Sequence, residues 1–340
     1  MANQTINDFP TKPVPDPADY FLISDSATSY QDYKKVPVGN NVIIPASHVK
    51  YVAMNGADLP SNGSFNAPYA TLSYAYDQIQ DATVTNPYMI QVLPGYYAQA
   101  SDIFVKPYII VDFSGATLAM TPSTSYTVLA NTPTWSAGDG WLIWRNLNNF
   151  SGRVDIDLAS TYTHDYIKFE NIQFATTTSM IEVTARPQNL SPIPKVFYSK
   201  ILGGGDLIVA DASAVIEECR IGGLSFETPG TTQIQKTVSI NNCTFNNPTV
   251  ISNSSSNGAN VYVSNSKFYN EYAIGNNANV MNVYQQSCLF FLASPPPVYP
   301  IKYECVAPAT MNVYFDYFNL PTNSTTGVTY NALIPGITPT

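Results

Sequence analysis

The sequence predicts an all-β protein, a right-handed parallel β-helix of about ten coils. The first observation behind this prediction is composition: charged residues make up only 11% of the 340, against roughly 25% in an ordinary soluble domain. The second is a hexapeptide pattern that recurs at a mean spacing of about 24 residues, which is typical of stacked repeats. The third is that these repeats alternate in polarity and lack a helical period. Together the three observations exclude a coiled coil and a helical bundle.

The chain begins with a segment, residues 1–50, that we expect to serve in attachment and oligomerisation. Its early prolines indicate an extended chain, and two strand-like pieces at 20–27 and 34–40 flank a polar turn. A segment of this length cannot build its own core. We therefore expect it to pack on a partner, on another copy or on the rest of the chain.

Residues 51–100 are predicted to form the entry to the β-helix, with a capping helix at 68–79. The apolar residues of this helix recur at helical spacing on one face: Leu72, Ala75, Tyr76 and Ile79. Residues 101–320 are then expected to form the coils, and residues 321–340 a C-terminal tail.

The hexapeptide explains how the coils would stack. Its clearest copies read apolar, polar, Asn-like, small or apolar, polar, apolar, and they lie at 169–174, 216–221, 240–245, 263–268 and 284–289. The third position is expected to bend in the left-handed conformation that Asn tolerates. Because stacked strands lie about 4.8 Å apart, the third positions predict a polar ladder: Asn171, Glu218, Asn242, Asn265 and Gln286. The fourth positions predict an inward row of mostly small residues: Ile172, Cys219, Cys243, Ser266 and Ser287. The sixth positions predict an inward row of apolar residues: Phe174, Ile221, Phe245, Phe268 and Leu289.

Charge and cysteine content argue against several kinds of partner. The net charge of −9 argues against nucleic acid and an anionic membrane surface as ligands. Apolar runs fall well short of the roughly 18 residues of a membrane span, and the start, MANQTINDFP, has no features of a signal peptide. The four cysteines form no CxxC pair and the two histidines are isolated, so we expect no metal site, no cofactor and no disulfide framework. Cys219 and Cys243 are expected to be free inward thiols.

Two parts of the chain resemble known families. Residues 55–72 and 90–97, which include Pro94-Gly95-Tyr96-Tyr97, resemble the entry of pectin-lyase-like right-handed parallel β-helix proteins. That resemblance covers about residues 51–320 and implies that a short helix caps the first coil. It indicates a fold and not an activity, because this scaffold carries many functions.

Residues 19–27 and 34–40 resemble the leading segment of bacteriophage tail-fibre, tailspike and head-fibre proteins. The resemblance implies a structural and binding protein on the virion surface, made in the host cytoplasm. It also implies a homotrimer that contacts other virion proteins through its N-terminus and a host-surface glycan elsewhere. The expected attachment residues are Phe21, Leu22, Ile23, Asp25, Lys34 and Lys35.

Two alternatives remain open at the level of the sequence. The first is a tailspike-type glycan depolymerase, a hydrolase or lyase, whose candidate acids are Asp155, Asp157, Glu170 and Glu217. Asp155 and Asp157 would lie about 7 Å apart on one strand face, and Glu170 and Glu217 about 10 Å apart in one column. We favour the interpretation that these acids are solvent-facing charges and that the chain is not an enzyme. The second alternative is a cell-surface adhesin.

The 24 tyrosines exceed what a β-helix core requires. Tyrosine together with Asn and Ser suits recognition of sugars or proteins, because it provides contact area at a low entropy cost. Contacts between the copies of a trimer, or packing along the faces of the β-helix, are the competing explanation. The candidates for exposed positions are Tyr162, Tyr166, Tyr262, Tyr269, Tyr272, Tyr299, Tyr303, Tyr314 and Tyr317.

Overall fold

The computed structural model divides the chain into two units, Met1–Pro45 (the N-terminal unit) and Ala46–Thr340 (the sheet unit). The structure describes residues 20–24, 33–37, 44–120, 127–130, 140–158, 166–185, 195–210, 212–228, 236–253, 258–270, 272–276, 280–290, 301–305, 309–315, 323–324 and 328–332.

In the N-terminal unit, β1 (Tyr20–Ser24) pairs with β2 (Tyr33–Pro37) as an antiparallel hairpin. Residue 22 lies opposite residue 35 in this register. Five of the predicted attachment residues lie in the two strands, namely Phe21, Leu22, Ile23, Lys34 and Lys35, while Asp25 lies outside the described residues. That these residues attach the chain to a particle stays a prediction.

The sheet unit begins with a 3₁₀ turn, Ala46–His48, and contains one helix, α1 (Leu72–Gln78), among the described residues. Its strands form three parallel ladders. The strands of the first sheet are β3 (Val49–Val52), β4 (Tyr88–Val92), β7 (Ile109–Asp112), β10 (Trp141–Ser151), β12 (Tyr166–Phe174), β14 (Lys195–Leu202), β16 (Ser213–Glu217), β19 (Lys236–Asn241), β22 (Ala259–Ser264), β25 (Val280–Gln286), β28 (Thr310–Phe315) and β30 (Val328–Ala332).

The second sheet consists of short strands that continue the first sheet around a bend. Its members are β5 (Tyr96–Gln99), β8 (Thr117–Met120), the last residues of β10, β12 and β14, β17 (Arg220–Ile221), β20 (Thr244–Phe245), β23 (Lys267–Phe268) and β26 (Leu289–Phe290). The third sheet is 10-stranded: β6 (Ile103–Phe104), β9 (Thr127–Ala130), β11 (Arg153–Leu158), β13 (Met180–Ala185), β15 (Asp206–Ala210), β18 (Leu224–Thr228), β21 (Thr249–Asn253), β24 (Tyr272–Asn276), β27 (Ile301–Cys305) and β29 (Asn323–Ser324).

The pairing pattern explains how these sheets arise from one winding chain. From β16 to β25 each strand pairs in parallel with the third strand after it, as in β16 with β19, β17 with β20 and β18 with β21. Three strands therefore make one turn of the chain, and the next turn lies directly on it. The prediction of an all-β protein with stacked parallel strands and almost no helix is confirmed, and this arrangement is compatible with a parallel β-helix. The handedness of the coils and their number stay predictions.

A row of left-handed residues marks the bend between the first and second sheets. Positive φ values of 51–61° occur at Asn146, Asn171, Lys200, Glu218, Asn242, Asn265 and Ser287. Backbone N–H groups in this row still reach the next turn: Asn242 donates to the Ser264 carbonyl at 3.1 Å and Asn265 to the Gln286 carbonyl at 3.0 Å. The bend thus changes the direction of the chain without leaving these amides unpaired.

The last member of the predicted ladder is wrong by one residue. Ser287, and not Gln286, has the positive φ, at 55°. The two inward positions of that turn are correspondingly Cys288, which is 1% exposed, and Phe290, whereas Leu289 is 48% exposed. Phe290 stacks on Phe268 with ring centroids 5.1 Å apart. The physical reason for the shift is that this ring-on-ring contact sets the register of the turn.

The core consists of inward rows from the three sheets. One row of the first sheet is aliphatic and buried over successive turns: Leu142, Ile167, Val196, Ala214, Val238, Val261, Val283 and Val313. Cys219 and Cys243 are free and buried in the small inward row, as predicted. Ser266 continues that row, and its hydroxyl accepts from the Cys243 backbone N–H at 3.1 Å.

Helix α1 packs against β3, β4 and β6 at the start of the sheet unit. Thr71 caps its N-terminus by accepting from the Tyr74 N–H, and Asp58 accepts from the Thr71 backbone N–H and hydroxyl. At the other end, Lys106 Nζ donates to the carbonyls of Tyr76 and Ile79 at 2.7 Å each. Within the described ranges, the structure contains no helix long and apolar enough to cross a membrane.

Candidate functional site

Two of the predicted catalytic acids, Asp155 and Asp157, lie on β11 in the third sheet, where the Asp157 side chain is outside the described residues. Asp155 lies opposite Glu182 on β13. Arg153 binds both carboxylates, with Nη2 3.3 Å from Asp155 and 2.6 Å from Glu182. One guanidinium thus forms ion pairs with both carboxylates. This arrangement is typical of a structural ion-pair cluster, whereas a glycosidase needs one carboxyl group as the acid and another as the base.

The other two predicted acids, Glu170 and Glu217, lie in one outward column of the first sheet with Ser199 between them. Two strand steps separate their backbones by about 10 Å, slightly more than the separation of carboxyl groups in an inverting glycosidase. Glu170 also forms an ion pair with Lys168 at 2.9 Å. The depolymerase alternative therefore stays a prediction, and so does the adhesin. No cluster of three or more potential metal ligands occurs in the part of the chain that the structure describes.

A polar groove of about 480 Å³ opens where the first sheet bends into the second. Asp112 organises the groove: its Oδ2 accepts from Arg145 Nε at 2.8 Å and its Oδ1 accepts from Asn146 Nδ2 at 3.1 Å. Asn171 Nδ2 donates to Asn146 Oδ1 at 3.0 Å, so the bend row continues the network. Gln91 and Leu202 also line the groove. These side chains offer hydrogen bonds to a small polar ligand, which suits binding.

A second surface lies on the outer side of the first sheet, on the later turns. Tyr262, Tyr284 and Tyr314 occupy one column of β22, β25 and β28. Their rings stack almost in parallel, with centroids 4.9 Å and 4.7 Å apart and interplanar angles of 6° and 7°. Burial raises the pKa of the central Tyr284, and the neighbouring phenols of Tyr262 and Tyr314 raise it further.

An amide ladder runs beside the tyrosine stack. Asn312 Nδ2 donates to Asn282 Oδ1, and Asn282 Nδ2 donates to Asn260 Oδ1, each at 3.1 Å. The residues that alternate outward on these strands and on β19 form what we call the tyrosine face: Thr237, Ser239, Asn241, Asn260, Tyr262, Ser264, Val280, Asn282, Tyr284, Gln286, Thr310, Asn312 and Tyr314. All of these residues lack a carboxylate, an ammonium or a guanidinium group.

Sequence reasoning identified this surface only in part. Tyr262 and Tyr314 were expected at exposed positions, and Tyr262 is 41% exposed. Tyr272 and Tyr303 were expected there too, but that prediction is wrong: both rings point inward from the third sheet and are fully buried. Tyr269 is 41% exposed, and the side chains of Tyr162, Tyr166, Tyr299 and Tyr317 lie outside the described residues.

A signal for the whole surface is present in the sequence. The tripeptide Asn-Val-Tyr occurs at 260–262, 282–284 and 312–314, with the Val inward and the Asn and Tyr outward each time. The copy at 260–262 lies just upstream of the hexapeptide at 263–268.

No protein-family model matches the chain, and no curated protein or solved structure is significantly similar to it.

Proposed function

We propose that the chain is a structural and binding protein of a virus particle, a phage tail or head fibre or spike that contacts the host surface. The observation that supports the proposal is the organisation of the sheet unit, in which the parallel ladder of the first sheet runs without interruption from β3 to β30. Continuous backbone pairing and inward rows of like residues suit a stiff, protease-resistant module. The separate N-terminal unit, whose sequence resembles the leading segments of phage fibres, supports attachment through residues 1–45.

The proposal includes details of the architecture. We infer a right-handed β-helix of about ten coils, since parallel crossover connections are right-handed in almost all proteins. We further infer that α1 caps the first coil. Its buried residues Leu72, Ala75 and Tyr76 face strands that open the ladders, and a cap protects exposed apolar core from aggregation. The fibre would be a homotrimer.

Particle binding by the full-length protein and by a variant that lacks residues 1–45 tests this function. The proposal predicts that the full-length protein cosediments with phage particles from the source culture. The shortened variant should keep the β-rich circular dichroism of the full chain and remain in the supernatant. Equal binding of both forms would contradict attachment through the N-terminal unit. Binding to cells without binding to particles would instead support the adhesin.

A further inference from the structure

We propose that the tyrosine face binds a neutral glycan, with one sugar ring stacked on Tyr262 above Ser239. This inference rests on the proposed function, because it names the host-surface ligand and the place where it binds. Three observations support it: an aromatic ring face that is left uncovered, amide and hydroxyl groups on both sides of that ring, and a surface without ionic groups.

The uncovered ring face follows from the column in which Tyr262 lies. Tyr284 covers one face of the Tyr262 ring at 4.9 Å, and the next residue of the column on the other side is Ser239. A serine side chain is too short to cover a phenol ring, and Tyr262 is accordingly 41% exposed. A pyranose ring above Ser239 would continue the stack of three tyrosines. Its C–H hydrogens, which carry slight positive charge, would meet the negative face of the ring.

Polar groups flank this position on the neighbouring columns. Thr237 and Asn260 lie on one side, and Asn241 and Ser264 on the other. Asn241 Oδ1 accepts from Ser264 Oγ at 3.0 Å and from Asn265 Nδ2 at 3.4 Å. Amides and hydroxyls both donate and accept, which matches the hydroxyl groups of a sugar.

The charge of the surface selects the class of glycan. The chain carries a net charge of −9, yet no Asp, Glu, Lys or Arg belongs to the tyrosine face, and the charged residue that pairs with Asn241 at its edge is the anionic Glu217. An acidic polysaccharide or a nucleic acid would require cations there to offset its own charge. Interface cores of proteins are enriched in arginine, methionine and aromatic residues, and of these the surface carries only tyrosine. An uncharged, hydroxyl-rich ligand is the best match.

Glycan binding by the full-length protein and matched variants tests the site. The probes are neutral polymers (dextran, mannan, galactan and laminarin), and the charged comparators are alginate and polygalacturonate. Tyr262→Ala removes the ring and should weaken binding of the neutral probe about tenfold, the scale of one aromatic stacking contact. Tyr262→Phe keeps the ring and should bind within about twofold of the original chain. Tyr96→Ala is the matched control, because Tyr96 is 58% exposed on the second sheet.

A further variant tests the position of the sugar while it preserves the fold. Ser239→Tyr adds a fourth ring to the stack and fills the space above Tyr262, so it should abolish glycan binding without lowering the melting temperature. The inference is overturned if no neutral probe binds, if alginate binds as tightly as the neutral polymers, or if Tyr262→Ala and Ser239→Tyr bind normally. A change in molecular mass in either variant would identify the face as a contact between copies and would also overturn it. Cosedimentation with particles does not depend on this face, so a failure here leaves the test of the fibre function separate.

Discussion

Two buried tyrosines of the core, Tyr76 and Tyr198, differ in the partners of their hydroxyl groups. The Tyr76 hydroxyl accepts from Trp144 Nε1 at 3.0 Å, which ties α1 to β10. The Tyr198 ring stacks on Phe169, but its buried hydroxyl has no hydrogen-bond partner among the described residues. A buried polar group without a partner lowers stability, whereas a satisfied one contributes to it.

The first prediction compares the two Tyr→Phe substitutions. Tyr76→Phe should lower the free energy of unfolding by about 1–3 kcal/mol, since it leaves the Trp144 N–H without this acceptor. Tyr198→Phe should leave that free energy unchanged or raise it by about 1 kcal/mol. Urea unfolding at one fixed chain concentration provides the comparison. Equal losses in both variants would show that ring packing alone, and not the hydroxyl partner, decides the outcome.

Burial also predicts how stability depends on pH. Burial raises the pKa of Tyr76, Tyr198 and Tyr272 above the usual value of 10.0. Each phenol therefore holds its proton more tightly in the folded chain than in the unfolded chain. The resulting stabilisation is fully present below the unfolded-state pKa and is lost as pH rises above about 10. The melting temperature should be insensitive to tyrosine ionisation up to about pH 9 and should fall beyond pH 10.

Tyrosinate absorbance recorded during the same titration provides the check. The three buried phenols should ionise only as the protein unfolds. Ionisation of every tyrosine below the pH at which the fold is lost would contradict the burial of these three rings.

At the scale of the element, the bend row offers the clearest substitutions. Glu218 adopts a φ of 55°, a conformation that Asn and Gly tolerate better than Glu. Its ion pair with Lys200 spans 4.0 Å between two exposed side chains and contributes little. Glu218→Asn should therefore raise the free energy of unfolding by about 0.5 kcal/mol.

Asn242→Val, in the same row of left-handed residues, is expected to destabilise the fold, in contrast to Glu218→Asn. Asn242 has a φ of 53°, and a β-branched side chain there should lower the free energy of unfolding by about 1–2 kcal/mol. Urea unfolding of both variants beside the original chain measures the contrast. A gain for Val at position 242 would contradict the assignment of the bend.

The bends and the helix show which parts of the fold the sequence alone predicts. The hexapeptide predicted the bends at Asn171, Glu218, Asn242 and Asn265, because Asn-like residues between apolar ones constrain the local backbone. It missed the shift to Ser287, because the stacking of Phe290 on Phe268 involves residues a full turn apart. The helix was expected at 68–79 but spans Leu72–Gln78, since Thr71 serves as its N-cap.

The candidate surfaces are harder to predict from the sequence than the strands and the helix, because each surface is formed by residues that only the register of strand pairing brings together. The shared binding of Asp155 and Glu182 by Arg153 joins residues on different turns, which only the pairing of β11 with β13 brings together. The tyrosine face likewise required the stacking of β22, β25 and β28. Its Asn-Val-Tyr repeat is visible in the sequence, but the sequence alone does not show that the three tyrosines lie in one column. Glu170 and Glu217 share a column with Ser199 between them, and a catalytic role for the predicted acids stays a prediction.

For the whole molecule, the distribution of charge distinguishes the surfaces of the sheet unit. Ion pairs lie on the earlier turns, where Asp112 binds Arg145 and Lys168 binds Glu170. The later turns carry the uncharged tyrosine face. Parallel ladders hold both surfaces on one continuous backbone, so a ligand would meet a fixed array of side chains. That rigidity suits a fibre that meets its ligand repeatedly along a host surface.

The most direct test of the fibre proposal is the mass of the full-length protein in solution, measured by light scattering. A fibre or spike of the proposed kind should have a mass of about three times the 37.1 kDa of one chain. That mass should persist on dilution, because the copies of such a fibre are not expected to exchange. A mass of 37.1 kDa at every concentration would contradict the proposal.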